Sequence, residues 1–479
     1  MDAMVLDAQQ WAVENFGDCD FGDSRLTKRL ILYAESCAVR PEDATPQQTQ
    51  RWSQCKGAYR FMDNRKVGFE SIVAAHCAKT RKQFREGVYL SICDTTQLSF
   101  SLKRKIDSLG PVGDNIGQGF LLHSSLIVRE ETEEIVGLAG QELFYRVPKP
   151  PGDTSAKRKK RKRESEVWGR IADQVGRPPQ DVSLIHICDR GADDFEFYCH
   201  CVLAGAGWVV RAQQLTRKIL PLDPTSPDAP QTKKKLSLRD HLAKHGTRVG
   251  EYKLKIRTNK KQKARTAKVV VRCARFWMPR PKFISPWAKT NGPKYIPMSV
   301  VEVVEVRPRR GVVPLRWVLL THDTVETMDE SLQVISRYEK RPIVEEYHKA
   351  LKTGAAIEER LYRTNKRLER ISGILCVLAV RIVQMKTIAK KSPNRLARQV
   401  APRKWVTALC RIQRNQSPGQ RSQWNPRTLT IGNFLRGLAM LGGFLARASD
   451  GNPGWITLWR GVKELQLALR GMRLGRSRN

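Results

Sequence analysis

The sequence is short of acidic residues. Lysine and arginine together number 86, whereas aspartate and glutamate number 47, so the formal net charge is +39 at pH 7. An imbalance of this size attracts polyanions, and nucleic acid is the most common partner. A ribosome-like structural protein or a protein that binds membrane surfaces would show the same imbalance. The low acid content therefore predicts a polyanionic partner without identifying it.

Long apolar runs and the features of a signal peptide are also missing. The best apolar run, "ISGILCVLAVRIV" at 371–383, is too short to span a bilayer and contains Arg381. The first residues, "MDAMVLDAQQW", include acids and lack a cationic start. We therefore expect no membrane segment and a cytoplasmic location.

The 11 cysteines do not form a paired pattern. Their odd number and their positions inside apolar segments are typical of a reduced, intracellular protein. The segment "HICDRGADDFEFYCHC" at 186–201 combines histidines with cysteines, but its spacings do not match those of zinc ligands. Cys188 is instead predicted to be a small core residue at the end of a strand.

Residues 1–75 are predicted to be helical and to bind DNA. "DFGDSRLTKRLILYAE" starts with a helix cap at Asp23 or Ser24, and "KGAYRFMDN" belongs to a second helix. Basic and aromatic residues are concentrated here, although each charge alone is also typical of a solvated helix face. The candidate DNA contacts are Arg25, Lys28, Arg29, Tyr59 and Arg60.

Residues 76–211 are predicted to form the first part of an α/β core. Three β-rich runs between 87 and 145 are typical of a meander, and 181–212 is typical of a strand, a helix and a second strand. The basic run at 157–163 between them indicates a solvated loop or a non-specific contact with a DNA backbone.

The rest of the chain divides into three regions. Residues 212–312 are predicted to be a β-rich insertion, 313–370 the second part of the core, and 371–479 a helical region. Near the end, "WITLWRGVKELQLALRG" is amphipathic, so it favours either a contact between subunits or packing on its own domain. Its apolar stripe consists of Trp455, Leu458, Trp459, Val462 and Leu465.

Two aspartates follow predicted strands. Asp94 comes after "VYLSIC" and Asp189 after "SLIHIC". A carboxylate in this position is costly unless it is paired, protonated or bound to metal, and active sites gather at the carboxyl edge of such strands. With Glu345 as a third carboxylate, an all-oxygen set suits Mg²⁺ or Mn²⁺. Either aspartate alone would equally be typical of a helix cap.

The segment "RYEKRPIVEEYHKALKTG" at 337–354 is predicted to be a helix with an unusual polar line. Tyr338, Arg341, Glu345 and Lys352 recur at spacings of three, four and seven beside an apolar stripe. Pro342 is typical of a first helical turn, so the helix is predicted to begin there with Tyr338 in the preceding approach segment.

Taken in order, these motifs resemble the DDE transposases of the bacterial insertion-sequence-four family. "ICDTT", "ICDRGAD" and the Tyr-Arg-Glu-Lys pattern carry the resemblance, and "FGDSRLTKRL", "WVVR" and "EEYHKALKTGA" extend it along most of the chain. The resemblance implies an α/β fold: an RNase H-like catalytic core with a β-rich insertion, flanked by helical N- and C-terminal domains. The N-terminal domain would bind transposon ends, and the C-terminal domain would dimerise.

The resemblance also implies roles for individual residues. Asp94, Asp189 and Glu345 match a catalytic triad that holds two Mg²⁺ or Mn²⁺ ions. Tyr338, Arg341 and Lys352 match residues on the 5′-phosphate side of the cut end, and Trp317 matches a tryptophan that stacks on a flipped base. Further DNA contacts are implied for Arg211, His348 and Lys349.

The activity implied is cut-and-paste transposition by a homodimer on double-stranded DNA, at the bacterial nucleoid. Two alternatives remain open from the sequence: an RNase H-like nuclease without strand transfer, and a catalytically inactive basic DNA-binding protein. Without the resemblance, Trp317 in its apolar strand would be expected to be a core residue.

Overall fold

The computed structural model describes residues 7–49, 51–101, 105–113, 116–146, 152, 154, 163–222, 230, 234–256, 264–308, 310–416, 422–447 and 449–476. Apart from Arg163, the basic run at 157–163 lies outside the described residues.

The chain begins with a group of helices, as predicted. They are α1 (Ala8–Phe16), α2 (Ser24–Val39), α3 (Thr45–Thr49), α4 (Trp52–Asp63) and α5 (Phe69–Lys82). Asp23 caps α2 by accepting a hydrogen bond from the backbone N–H of Arg25 at 2.9 Å. Large apolar side chains such as Phe16, Leu30 and Phe61 are buried, so this group has a real core.

A sheet follows. Its first strands are β1 (Gly87–Phe100), β2 (Gly110–Val112), β3 (Gly117–Arg129), β4 (Ile135–Phe144), β5 (Val182–Cys188) and β6 (Gly207–Arg211). Helices α6 (Val167–Val175) and α7 (Phe195–Ala204) flank β5 in the sequence. Cys188 is fully buried at the end of β5, as predicted.

The order of these strands defines the fold. β1 pairs antiparallel with β3, and β3 pairs antiparallel with β4, whereas β1, β5 and β6 run parallel to one another. The order β4-β3-β1-β5-β6, with an antiparallel meander followed by two parallel strands, is that of an RNase H-like core. The predicted fold class is confirmed.

The sheet continues through the region between 212 and 321. Its strands are β7 (Lys218–Pro221), β8 (Leu236–Ser237), β9 (Thr247–Ile256), β10 (Arg265–Pro279), β11 (Tyr295–Glu305) and β12 (Arg316–Thr321). Two short helices, α8 (Leu238–His245) and α9 (Pro286–Asn291), lie between them. Because β12 pairs with both β6 and β11, the β-rich segment extends the core sheet and does not form a separate one.

The remainder is helical. After α10 (Met328–Glu339) and α11 (Pro342–Lys349), a π-helical turn (Ala350–Gly354) precedes α12 (Asn365–Lys391), α13 (Arg403–Gln416), α14 (Ile431–Leu441) and α15 (Trp455–Arg476). By length and composition, the 27-residue α12 could cross a membrane, but 76% of its apolar window is buried inside the protein. Arg381 within it is buried, with its guanidinium 5.2 Å from the ring centre of Trp405.

The apolar stripe of α15 packs on the protein's own chain. All five of its residues are buried, and Trp459 is fully covered. A Cβ at Gly354 would lie 1.7 Å from the indole nitrogen of Trp459, so α15 packs tightly against the π-helical turn that follows α11. Of the two alternatives drawn from the sequence, internal packing is correct for this stripe, which is therefore not available as a contact between subunits.

Candidate active site at the edge of the sheet

The two aspartates lie on adjacent parallel strands. The pairing of β1 with β5 ends at Ile92 and Ile187, so Asp94 and Asp189 come just beyond it at the same edge. Asp94 was predicted to follow a strand, but this is wrong, because Asp94 lies inside β1. Beyond Ile92, β1 leaves β5 and continues against β3 as far as Phe100.

Backbone amides hold one oxygen of each aspartate. The N–H of Thr95 donates to Oδ1 of Asp94 at 3.0 Å, and the N–H of Gly191 donates to Oδ1 of Asp189 at 2.7 Å. The second oxygen of each carboxylate, Oδ2, therefore points to the third element of the site.

That element consists of two helices. α10 ends at Glu339, and α11 begins at Pro342, whose missing N–H suits a first helical position. The start at Pro342 was predicted correctly, but Tyr338 lies in the last turn of a separate helix and not in an approach segment. Lys352 lies in the π-helical turn that continues α11.

Arg341 joins the three carboxylates. Its Nη2 lies 3.2 Å from Oδ2 of Asp94 and 3.7 Å from Oδ2 of Asp189, while its Nη1 pairs with Glu345 one turn later. Burial alone would lower the pKa of Arg341, but the ion pairs with Asp94, Glu345 and Asp189 outweigh burial and raise it. The guanidinium is thus the cation at the centre of the site.

The pKa of Asp94 lies above the usual range of a carboxylate. Its burial raises its pKa to about 6, and the charge of Asp189 adds to this rise, whereas Arg341 opposes it. A group so displaced from its ordinary range at a sheet edge is typical of a functional site.

Two histidines lie on either side of Asp94. His348 Nδ1 is 3.9 Å from Oδ2 of Asp94, and burial lowers the pKa of His348 to about 3. His123 bonds Thr95 through Nδ1 and Oγ1 at 2.6 Å. His123 was missed in the sequence because only the register of β1 against β3, which sets Thr95 opposite His123, brings it to the site.

Arg211, Tyr338 and Trp317 form a second group beside the carboxylates. Burial raises the pKa of Tyr338, and the positive charges of Arg211 and Arg341 oppose this rise. The rings of Trp317 and Tyr338 meet edge to face with centres 6.3 Å apart. Trp317 is partly buried, so it is neither a full core residue nor an exposed one.

The lysines and His348 differ in their availability to DNA. Lys352 donates from Nζ to the carbonyl oxygen of Gln97 at 2.6 Å and lies 3.5 Å from Glu358, at the far end of β1. Lys349 is exposed and pairs with Glu346 at 3.0 Å. His348 is buried and faces Asp94, so in this conformation it does not present its ring to DNA as the sequence had implied.

The N-terminal candidates lie on a surface of their own. Arg25, Lys28 and Arg60 are exposed, whereas Arg29 packs against Gly57 of α4. The ring of Tyr59 is covered by the guanidinium of Arg367 at 4.8 Å.

A groove beside Tyr59 adds residues that the sequence did not single out. It is lined by Trp52, Lys56, Arg60, Arg363 and Arg367 among others, and the indole of Trp52 is 78% exposed. The polar neighbours of Trp52 in "QRWSQ" are the signal that could have identified it.

The donor chemistry of the carboxylates fits a hard divalent cation, because Mg²⁺ and Mn²⁺ prefer carboxylate oxygens. In the described part of the chain, however, no three acidic, histidine or cysteine side chains lie close enough together to hold an ion. The guanidinium of Arg341 contacts all three carboxylates, so the donor types fit such a cation while the distances in this structure do not.

Fold and site together define an α/β protein with an RNase H-like core and a carboxylate cluster at its sheet edge. Residues 8–67 match the family model described as transposase DNA-binding. This match covers α1 to α4 and supports a DNA-binding transposase.

One solved structure is a distant neighbour, a piggyBac transposase synaptic complex with hairpin DNA. It is 9% identical, with a TM-score of 0.37, over 80% of this chain and 76% of that chain. A likeness this distant carries no information about function.

Proposed function

We propose that the protein is a DDE transposase that moves DNA by a cut-and-paste route. One observation carries the proposal: carboxylates from β1, β5 and α11 converge at one sheet edge on a single guanidinium. Its motifs resemble those of the insertion-sequence-four family, and in particular those of the transposase of transposon Tn-five.

In this proposal, Asp94, Asp189 and Glu345 would hold two Mg²⁺ or Mn²⁺ ions. When bound, such ions would supply activation of a water or a 3′-hydroxyl and stabilisation of the leaving oxygen in an in-line phosphoryl displacement. The amides of Thr95 and Gly191 keep the two aspartates aimed at the site.

The neighbouring residues bind the cut end. Arg341, Tyr338 and Lys352 donate to phosphate oxygens of the cut DNA end. The charged side chains of Arg341 and Lys352 make charge-assisted hydrogen bonds, which hold that end in position. Arg211 contacts the DNA backbone, and Trp317 stacks on a base flipped out when the end closes into a hairpin.

The remaining parts of the proposal concern assembly. The N-terminal helices recognise transposon ends, a homodimer joins two ends, and the reaction takes place on bacterial DNA in the cytoplasm. Nicking, hairpin formation, hairpin opening and strand transfer follow in that order.

The test uses the full chain, DNA from its element's termini and Mg²⁺. We expect Asp94→Asn, Asp189→Asn and Glu345→Gln each to abolish cleavage while end binding in a gel-shift assay stays within a few-fold of the unchanged protein. The reason is that carboxylates serve the chemistry, whereas basic residues supply the affinity. Near-normal cleavage by any of the three variants would contradict the triad.

The products identify the type of enzyme. A transposase of this kind forms hairpin ends, opens them with water to regenerate a 3′-hydroxyl, and then joins that 3′-hydroxyl to a target, whereas a nuclease leaves only cut ends. Glu346→Gln is the matched control, because it removes one carboxylate from the residue next to Glu345, where that carboxylate pairs with Lys349 and Lys386, and we expect it to cleave.

A further inference from the structure

The centre of the active site is filled by a side chain of the protein itself. Arg341 contacts Asp94, Asp189 and Glu345, and only 16% of its side chain is exposed. We propose that Arg341 is a positioning residue: it gathers the three carboxylates and must be exchanged for divalent cations when DNA binds. This inference rests on the proposed function and adds a coupling between DNA and metal.

The geometry of the aspartates supports an exchange. Each has its Oδ1 fixed by a backbone amide and its Oδ2 directed at Nη2 of Arg341. The oxygens free to bind an ion are therefore the oxygens that the guanidinium already holds. Because like charges in so confined a space repel strongly, the guanidinium and two divalent ions cannot share it.

The surroundings of Arg341 indicate which ligand its guanidinium would bind after leaving the carboxylates. Its Nε is buried and has no hydrogen-bond acceptor among the described residues. A buried donor left unpaired is costly, so an acceptor brought by a ligand is favoured. A phosphate offers several acceptor oxygens and a negative charge, and it suits the fork of a guanidinium.

Two neighbours locate the phosphate. Tyr338 lies in the last turn of α10, and Arg211 at the end of β6 is close enough for its charge to act on the Tyr338 hydroxyl, so donors are gathered on the side of Arg341 next to α10. A DNA end bound there would draw the guanidinium from the carboxylates and leave their Oδ2 atoms to the ions. Without DNA, Arg341 would keep the site poorly loaded with metal.

The experiment measures Mn²⁺ binding by the full chain, by electron paramagnetic resonance or calorimetry, with no turnover. Without DNA, we expect Arg341→Gln to bind Mn²⁺ roughly tenfold more tightly than the unchanged protein, because a competing cation has been removed. Lys340→Gln is the matched control: it removes the same charge from the adjacent residue, whose Nζ lies near Ser336 at 3.3 Å, and should leave the affinity unchanged.

The coupling is tested by adding a short duplex with a 5′-phosphate. We expect the duplex to tighten Mn²⁺ binding by the unchanged protein and to have little effect in Arg341→Gln. Arg341→Lys, which keeps the charge but cannot reach three carboxylates at once, should lie between the two. Thermal melting checks that each variant is folded.

The outcomes separate this inference from the proposed function. If, with the duplex present, Asp94→Asn and Glu345→Gln bind Mn²⁺ as well as the unchanged protein, the metal site itself is wrong. If they lose binding but Arg341→Gln binds Mn²⁺ no more tightly than Lys340→Gln, or more weakly, then the exchange is overturned and the triad stands.

Discussion

Trp317 lies at the border between the main apolar cluster and the solvent-accessible surface beside the carboxylates. Its strand, β12, pairs with β6, and its indole meets the ring of Tyr338 edge to face beside the carboxylate cluster. Its inner face packs against the main apolar cluster, while part of the ring stays accessible. A half-buried indole with an accessible face can stack on a base without any local unfolding of the protein.

We therefore expect Trp317→Ala to nick the first strand but to accumulate nicked ends at the expense of hairpins. Stacking of a base on an aromatic ring contributes about 1–3 kcal/mol, so the hairpin step should slow by roughly fivefold to a hundredfold. Product mapping on denaturing gels measures both steps.

An abasic site at the flipped position is the control. It removes the base that needs a partner, so it should partly restore hairpins in Trp317→Ala. Nicking and hairpin formation that fall together, with lower thermal stability and no abasic rescue, would show that Trp317 serves only packing.

At the scale of elements, the break between α10 and α11 organises the site. Pro342 starts the second helix, and this allows Arg341 to turn inward while Tyr338 belongs to the helix before it. The second helix is then fixed at its far end, where Trp459 of α15 covers the π-helical turn at Gly354. The carboxylate helix is thus held at both ends.

Gly354→Ala should destabilise the protein, because the added methyl would overlap the indole of Trp459. Overpacking of this kind costs about 1–3 kcal/mol, and urea unfolding measures it. Gly471→Ala in α15 is the control: nothing lies within 4 Å of its added Cβ, so it should be neutral or stabilising by up to about 1 kcal/mol. Equal effects of the two substitutions would show that the contact with Trp459 is not tight.

The sequence predicted the elements whose signals are local. The strand-helix-strand step before Arg211, the cap at Asp23 and the helix start at Pro342 all follow from neighbouring residues. The continuation of β1 past Asp94 could not be predicted from neighbouring residues, because pairing with β3, and not the local sequence, keeps that part of the strand extended. The burial of His348 likewise depends on contacts that form only when α11 lies against β1.

At the scale of the whole molecule, the N-terminal helices are built into the protein. Arg360 donates to the carbonyl oxygens of Pro41 and Asp43, and Arg370 donates to those of Met62 and Val67. Removing this region would uncover α12.

End recognition is therefore better tested by substitutions at exposed Arg25, Lys28 and Arg60 than by deletion of the N-terminal helices.

A buried histidine links the same helices to the sheet. His76 of α5 bonds Asn15 of α1 through Nδ1 at 2.7 Å, and its Nε2 accepts from the N–H of Leu138 in β4 at 3.1 Å. An imidazole that donates from Nδ1 and accepts at Nε2 is neutral. Its burial, with a smaller effect from Lys79, lowers the pKa of His76 from 6.5 to about 3.

The stability of the protein should therefore fall in acid. Between pH 6.5 and about 3, the unfolded chain binds a proton at His76 that the folded chain does not, so the free energy of unfolding decreases as the pH falls through this window. One such group contributes up to about 1.4 kcal/mol per pH unit, or about 2–3 kcal/mol between neutral pH and about pH 4.5.

We expect His76→Gln to show a smaller loss of stability over this range in urea unfolding, because glutamine does not titrate. His245→Gln, at an exposed histidine, should lose as much stability as the unchanged protein. If His76→Gln loses as much as that control, the acid sensitivity arises elsewhere, with the equally buried His348 as the next group to substitute.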